Sequence, residues 1–428
     1  MPVGPGLTRD PAVAPDAVEA PAAAAPRLAT LDLIRGVAVL GILAINIAGF
    51  AGPMISSTSP NLPRPVGPLD EAAYAFNFLF FEGKMRTLFS LLFGAGLVLF
   101  WERTEAAGRD GDLQQLRRLG WLLLLGMLHY LLLWWGDILF VYAACGIAAL
   151  LLRPLNNAAL LGMALVLYYG WHVWGMLDAA AAITAETAAR DHLASAAQLR
   201  LLAERIEPMQ AWAAQELREA HMGYLDLLRI KLLERPFWQI QMVSGVFSET
   251  LPLMLIGMVI YRRGLFDGRL PRRRLVELSI TCTLAGFALT ALFLGWAWPR
   301  HFPPVAMNAA LVWGLAMPHL LGGFGYAGLL VLAAPRLSST RIGSSLVAAG
   351  RMAFSNYVLT SLVMTFVFYG WGLGLFAQFG PLAQWLFVIG GWALMLAWSL
   401  AWLRHFRRGP LEWLWRSLVE HRVLANRR

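Results

Sequence analysis

Apolar runs long enough to cross a lipid bilayer recur along this chain from residue 31 to residue 403, and few charges fall inside them. A helix needs about 20 such residues to span the hydrocarbon. A chain of 428 residues that is 58% hydrophobic and 14% charged carries more apolar surface than a water-soluble fold can bury. The fold class is therefore all-α, a polytopic transmembrane helical bundle. The runs lie at roughly 31–50, 70–101, 119–135, 138–153, 156–177, 237–261, 275–296, 306–334, 345–370 and 382–403, about ten spans. The second is too long for one straight helix and holds Glu82, Gly83, Lys84 and Arg86 in its middle. It is expected to break before Gly83.

Lysine and arginine set the orientation, because cytosolic loops carry the excess. With the N-terminus inside, the cytosolic segments hold 22 of them and the outer segments nine. The short loops decide: RRGLFDGRLPRRR at 262–274 is strongly basic, whereas WGLGLFAQFGP at 371–381 has no cation. Both termini are expected inside. The net charge of +9 then reads as an orientation signature with attraction to anionic membrane lipids. No nucleic-acid partner is expected, since the cations flank spans instead of forming one patch.

These features divide the chain into five parts. Residues 1–26, rich in Ala and Pro, read as a disordered cytosolic tail. Residues 27–177 form a first transmembrane half and 237–416 a second, with a basic cytosolic tail at 417–428. Between the halves, 178–236 holds nine acids and seven bases at helical spacing and reads as extracytoplasmic amphipathic helices. Cys145 and Cys282 each sit in an apolar run, as buried thiols do, and give no disulfide or metal framework. No Walker loop, dinucleotide fingerprint, metal-ligand set or serine nucleophile elbow is present.

Chemistry concentrates where charge enters the spans, because such groups are costly there and usually face a protein interior. In TLDLIRGVAVLGILAINI, Asp32 and Arg35 stand three apart on one helix face. Asn46 follows about 16 Å further along the axis. Snorkelling of Arg35 to headgroups and interhelical bonding by Asn46 fit the same residues. Glu82, Lys84 and Arg86 must line a cavity or pair with one another. His129 and Asp137 lie in one apolar stretch. The histidine is suited to proton transfer near neutral pH, and the aspartate to capping the next span. RMAFSNYVLTSLV adds Arg351, Asn356 and Tyr357. Arg351 is expected at the depth of Arg35, where two arginines can clamp an anionic headgroup or a phosphate.

Six segments in order, LDLIRGVAVLGILAIN, FEGKMRTLFSLLFGAG, HYLLLWWGDILFVYA, GRMAFSNYVLTSL, FYGWGLGLF and GPLEWLWR, resemble the YeiB family of bacterial inner-membrane proteins, whose C-terminal domain is of unknown function. Arg35 followed by ten residues and Asn46 is similar to the Arg-x10-His signature of membrane acyltransferases of the acyltransferase-3 type. It is also similar to the heparan-α-glucosaminide N-acetyltransferases, where Asn takes that place. This resemblance implies transfer of an acyl group from cytosolic acyl-CoA, the co-substrate, to a glycan or lipid-linked acceptor on the far side. The chain departs from the pattern in lacking the His, so the base is sought at His129.

On that reading Arg35 and Arg351, with Lys84 or Arg86, hold the phosphates. Asn46 faces the thioester carbonyl, and His129 with Asp137 deprotonates the acceptor. Asp32, Glu82, Asn356 and Tyr357 complete the pocket, and no metal is expected. A secondary transporter of a small anionic or amphipathic solute fits the buried charges and the broken span equally well. A non-catalytic lipid-binding scaffold is a third reading.

Overall fold

The computed structural model describes residues 24–428, with side chains from Ala29. Most of the expected 1–26 tail lies outside the described residues. Those described are helical, with one isolated bridge between Phe406 and Arg427 as the only extended pairing among them. The first half comprises α1 (Ala24–Ala51), the short α2 (Ile55–Thr58), α3 (Pro68–Phe80), α4 (Lys84–Ala106), α5 (Gly111–Leu132), α6 (Leu139–Leu152) and α7 (Asn157–Arg190). After α8 (Ala196–Glu219) and α9 (Tyr224–Arg229) come α10 (Trp238–Arg262), α11 (Arg272–Ala297), α12 (Pro304–Ala309) and α13 (Ala316–Leu337). The chain ends with α14 (Arg341–Arg351), α15 (Ala353–Phe368), α16 (Pro381–His405) and α17 (Pro410–Val419).

Seven of these segments are long and apolar enough to cross a membrane, or eight if α14 and α15 count as one bent span. The count of ten is not reached by that measure, for two physical reasons. The apolar part of α5 begins only at Leu119, after a polar start that ends in Arg117 and Arg118, and α6 has only 14 residues. α6 is short because residues 133–138 fold back before it begins. A Cβ on Gly126 would overlap Phe140, so α6 starts well below the end of α5.

The second span does break where its charges require. Gly83 has φ +66° and stands against the His319 ring, a place only glycine fits. The ninth run, expected as one span, instead bends by 84° between Arg351 and Ala353. Helices cross closely at glycines. A Cβ on Gly94 or Gly257 would overlap a carbonyl across the α4–α10 contact, and one on Gly36 or Gly350 would do so between α1 and α14. Small residues allow such approach in membranes, where apolar packing alone gives little preference for helix over lipid.

The 177/178 boundary falls inside α7, whose 34 residues reach about 51 Å at 1.5 Å per residue. That exceeds the roughly 30 Å hydrocarbon layer, so one end projects beyond it. α8 packs on this projection, with Arg205 and Asp178 3.1 Å apart. The following segment then covers the carboxyl end of α5. Tyr224 donates to the Leu132 carbonyl at 2.9 Å, Lys231 to that of Leu133 at 3.2 Å, and Trp238 to that of Trp135 at 3.0 Å. Helix-end carbonyls otherwise left bare are thereby satisfied.

At the other end, residues 417–428 are docked. Trp413 donates to the Leu424 carbonyl and Trp415 to that of Arg118. Glu412 accepts the Phe354 and Ser355 N–H groups at 2.8 and 3.0 Å. α17 therefore caps α15 through Glu412, and its Trp413 holds the tail at Leu424.

Glu216 on α8 accepts the Met54 N–H at 2.9 Å, and burial pushes its carboxyl up to about 7. The folded chain thus keeps a proton that the unfolded chain releases above about pH 4.5. Stability conferred by this group is full below that value and is lost as pH rises through about 7. Glu216→Gln is expected to raise the melting temperature at pH 8, with little change at pH 5, in thermal unfolding monitored by intrinsic fluorescence.

Candidate functional site

Three groups of polar side chains stand out in the bundle. The first is the arginine-rich end. Arg35 Nη1 lies 2.9 Å from Asp32 Oδ1, and Gly350, next to Arg351, packs against the Asp32 backbone. Arg103 and Arg351 act electrostatically on Asp32, while Arg118 feels both Arg35 and Arg416. Arg118 is held between the rings of Phe100 and Trp415, at 4.7 and 4.6 Å. Arg351 donates to the Arg407 carbonyl at 2.8 Å. Arg35, Arg103 and Arg351 thus gather near Asp32, with Arg118 and Arg416 close by. A site of that charge suits a phosphate.

The second group is buried. His129 Nδ1 stands 2.9 Å from Asp137 Oδ1, with side chains 1% and 0% exposed. The other aspartate oxygen accepts the Phe140 N–H at 2.8 Å, so Asp137 both faces the histidine and caps α6. His129 Nε2 has no partner, and the Nδ1–Oδ1 approach, although close, lacks hydrogen-bond geometry. The Tyr357 ring lies 5.0 Å from the imidazole. Its hydroxyl accepts the Ile138 N–H at 3.2 Å and donates to the Gly136 carbonyl at 3.3 Å. Tyr357 also lines a narrow crevice between α1 and α15 with Asn46, Thr360 and Ser361. Asn46, Tyr357, His129 and Asp137 are therefore contiguous, although they come from α1, α15, α5 and the 133–138 turn.

The third group centres on the broken span. Arg86 pairs with Glu249 of α10 at 3.1 Å. Lys84, 0% exposed, donates to Thr290 at 3.4 Å and lies 5.9 Å from the Phe287 ring. His319 is buried with Nε2 unpartnered. This corrects the expectation that Lys84 and Arg86 join Arg35 in holding phosphates. The Arg35 guanidinium lies beside Gly96, twelve residues along α4 from Lys84, or about 18 Å away on the helix axis.

Asn356 is also reassigned. It donates to the Ala349 carbonyl at 3.1 Å and to Ser399 at 2.9 Å, bracing the α14–α15 bend with no exposed surface. Glu82 lies apart from Asn46, lining a cavity of about 340 Å³ between α1, the 52–67 loop, α3 and the start of α16. Among the described residues, no group of three or more His, Cys, Asp or Glu side chains is placed to hold a metal.

Comparison with known proteins places the chain. It is 33% identical over 408 residues to the uncharacterized protein YeiB of Escherichia coli, covering 92% of this chain and 96% of that protein. The chain belongs to the YeiB family. It is likewise 30% identical over 407 residues to the uncharacterized protein YxaH of Bacillus subtilis, covering 91% and 94%. Residues 260–422 match a family described as a protein of unknown function, DUF418. No solved structure matches.

In this YeiB-family chain, several partners were not singled out from the sequence. Glu249 is a carboxylate in the middle of an apolar run, and the cost that marks Glu82 marks it equally. Arg103, Arg118 and Arg416 are scattered through the sequence and converge only when α4, α5 and α17 pack. His319 carries no spacing signal, because its neighbour Gly83 is distant in the chain.

Removing one partner of an ion pair at membrane depth leaves an uncompensated charge. Arg86→Met alone is expected to lower stability by about 3 kcal/mol, and Glu249→Met to do the same. The double variant should recover much of that loss. A double-mutant cycle on unfolding in detergent measures the coupling.

Proposed function

We propose that this YeiB-family protein is a membrane acyltransferase of the bacterial cytoplasmic membrane. It takes an acyl group from cytosolic acyl-CoA and passes it to a hydroxyl or amine acceptor, a glycan or lipid-linked group, on the far side. One observation carries the reading: the buried approach of His129 to Asp137 with Nε2 unpartnered, next to a crevice lined by Val39, Ile42, Asn46 and Phe50 of α1.

In this account Arg35 and Arg351 hold the phosphates of acyl-CoA, and the acyl end follows the α1–α15 seam toward Asn46. Asp137 orients the imidazole and stabilises its cationic form as His129 Nε2 takes the acceptor proton. The acceptor oxygen or nitrogen attacks the thioester carbonyl, whose developing negative charge receives the Asn46 amide N–H. The C–S bond then breaks, and the thiolate leaves with a proton returned from His129. Tyr357 has to turn for the imidazole to meet the crevice, since its ring now lies against His129.

Losing a charged phosphate contact costs about 1.5–3 kcal/mol. Arg35→Ala is therefore expected to weaken acyl-CoA binding by about 10–100-fold. His129→Ala should leave binding intact and lower transfer by about 10²-fold or more. Calorimetric binding and transfer of a radiolabelled acetyl group, in nanodiscs, test both. Normal transfer by both variants contradicts the assignment.

A second reading, secondary transport, is favoured by the cavity that ends at Glu82 beside a broken helix, an arrangement suited to carrying solute. Substrate flux into proteoliposomes without covalent change supports it. Flux unaffected by Glu82→Gln counts against it.

A further inference from the structure

The cavity beside Glu82 lies on the opposite side of α1 from the Asn46 crevice. It touches Ile45, Ala48 and Gly52, whereas the crevice touches Ile42, Asn46 and Phe50. At 100° per residue these are different helix faces. Its volume of about 340 Å³ is enough for a small organic ligand. Asp70 lies in the first turn of α3 and Glu82 just past its last residue, so the two carboxylates stand at opposite ends of that helix.

Several polar groups of the lining donate to the protein. Asn77 Nδ2 donates to the Ala44 carbonyl at 2.6 Å and Gln384 Nε2 to that of Phe379 at 3.0 Å. The Tyr74 hydroxyl is engaged by the Ser57 and Thr58 carbonyls at 2.9 Å. Arg64, the one lining cation, donates to the Ala377 carbonyl at 2.5 Å. Arg64 keeps its positive charge, and against it stand the carboxylates of Asp70 and Glu82. Glu82 uses one oxygen on the Gly83 N–H and Asp70 one on the Leu382 N–H, which leaves a carboxylate oxygen free at each end.

The cations nearest Glu82 are directed elsewhere, Lys84 toward Thr290 and Arg86 toward Glu249. A carboxylate at this depth without a paired cation is costly, so a ligand that brings positive charge gains most from it. An anion would meet two carboxylates against the single guanidinium of Arg64. A neutral polyol would desolvate Glu82 with no compensating charge. Trp385 in the wall adds an aromatic face suited to an alkylammonium group.

We infer that this cavity is a binding site for a small organic ammonium ion, with Glu82 and Asp70 as its counter-ions. The site is independent of the acyl-CoA path, because the two lie on different faces of α1.

Titration calorimetry of the full chain in nanodiscs tests this, with choline and n-butylamine as probes and glycerol and acetate as controls. Saturable binding of at least one amine at a single site, with neither control bound, is expected. Glu82→Gln should weaken it at least tenfold. Ser56→Trp fills the cavity without touching either carboxylate and should abolish it while acyl-CoA binding stays as in wild type. It decides the matter if Glu82→Gln does not fold. No saturable amine binding by folded wild type overturns the proposal, as does unchanged binding in a folded Ser56→Trp protein.

Discussion

Arg86 and Glu249 meet at 3.1 Å across the α4–α10 contact, and much of the bundle is arranged around that meeting. A charge at membrane depth persists only with a partner or a cavity, so α4 and α10 have to come close. Gly94 and Gly257 let their backbones do so. The approach also fixes where α4 begins, immediately after Gly83, whose positive φ turns the chain out of α3. His319 fills the space a side chain at Gly83 would need. The break, the ion pair and the glycine contact form one physical unit, and the cavity at Glu82 is the room this unit leaves beside α1.

α1 is therefore a shared wall. One face carries the crevice from Val39 to Phe50, and the other lines the cavity at Glu82. At its start it packs on α14 through Gly36 and Gly350, which sets Asp32 and Arg35 beside Arg351. At its end it passes into the 52–67 loop, tied to α8 by Glu216 and to the segment before α16 by the Arg64–Ala377 bond, while Asp70 of α3 holds the Leu382 N–H of α16. Movement of the outer helices would change the cavity directly, while the His129–Asp137 pair lies behind Tyr357.

Much of this arrangement was legible in the sequence, because the cost of intramembrane charge is local. It singled out Asp32, Arg35, Glu82, Arg86, His129 and Asp137, and the charges around Gly83 announced the broken span. The His129–Asp137 contact follows from the chain itself, since the 133–138 turn returns Asp137 to the level of α5. Two kinds of information were missing. Whether Lys84 and Arg86 serve a phosphate site or an internal pair depends on distance along α4 and on Glu249, 163 residues away in the chain. The bend at Met352 was hidden because α14 and α15 together read as one apolar run, and only the Glu412 cap and the Asn356 brace reveal why the chain turns there.

The central claim is that one face of α1 guides acyl-CoA from the arginine-rich end toward His129. The most direct measurement is a cryo-electron microscopy map of the protein in nanodiscs with a non-hydrolysable acetyl-CoA analogue. The account requires nucleotide density against Arg35 and Arg351, with the pantetheine arm along the α1–α15 seam ending near Asn46. Density confined to the cavity at Glu82, or an empty seam at saturating analogue, would contradict it.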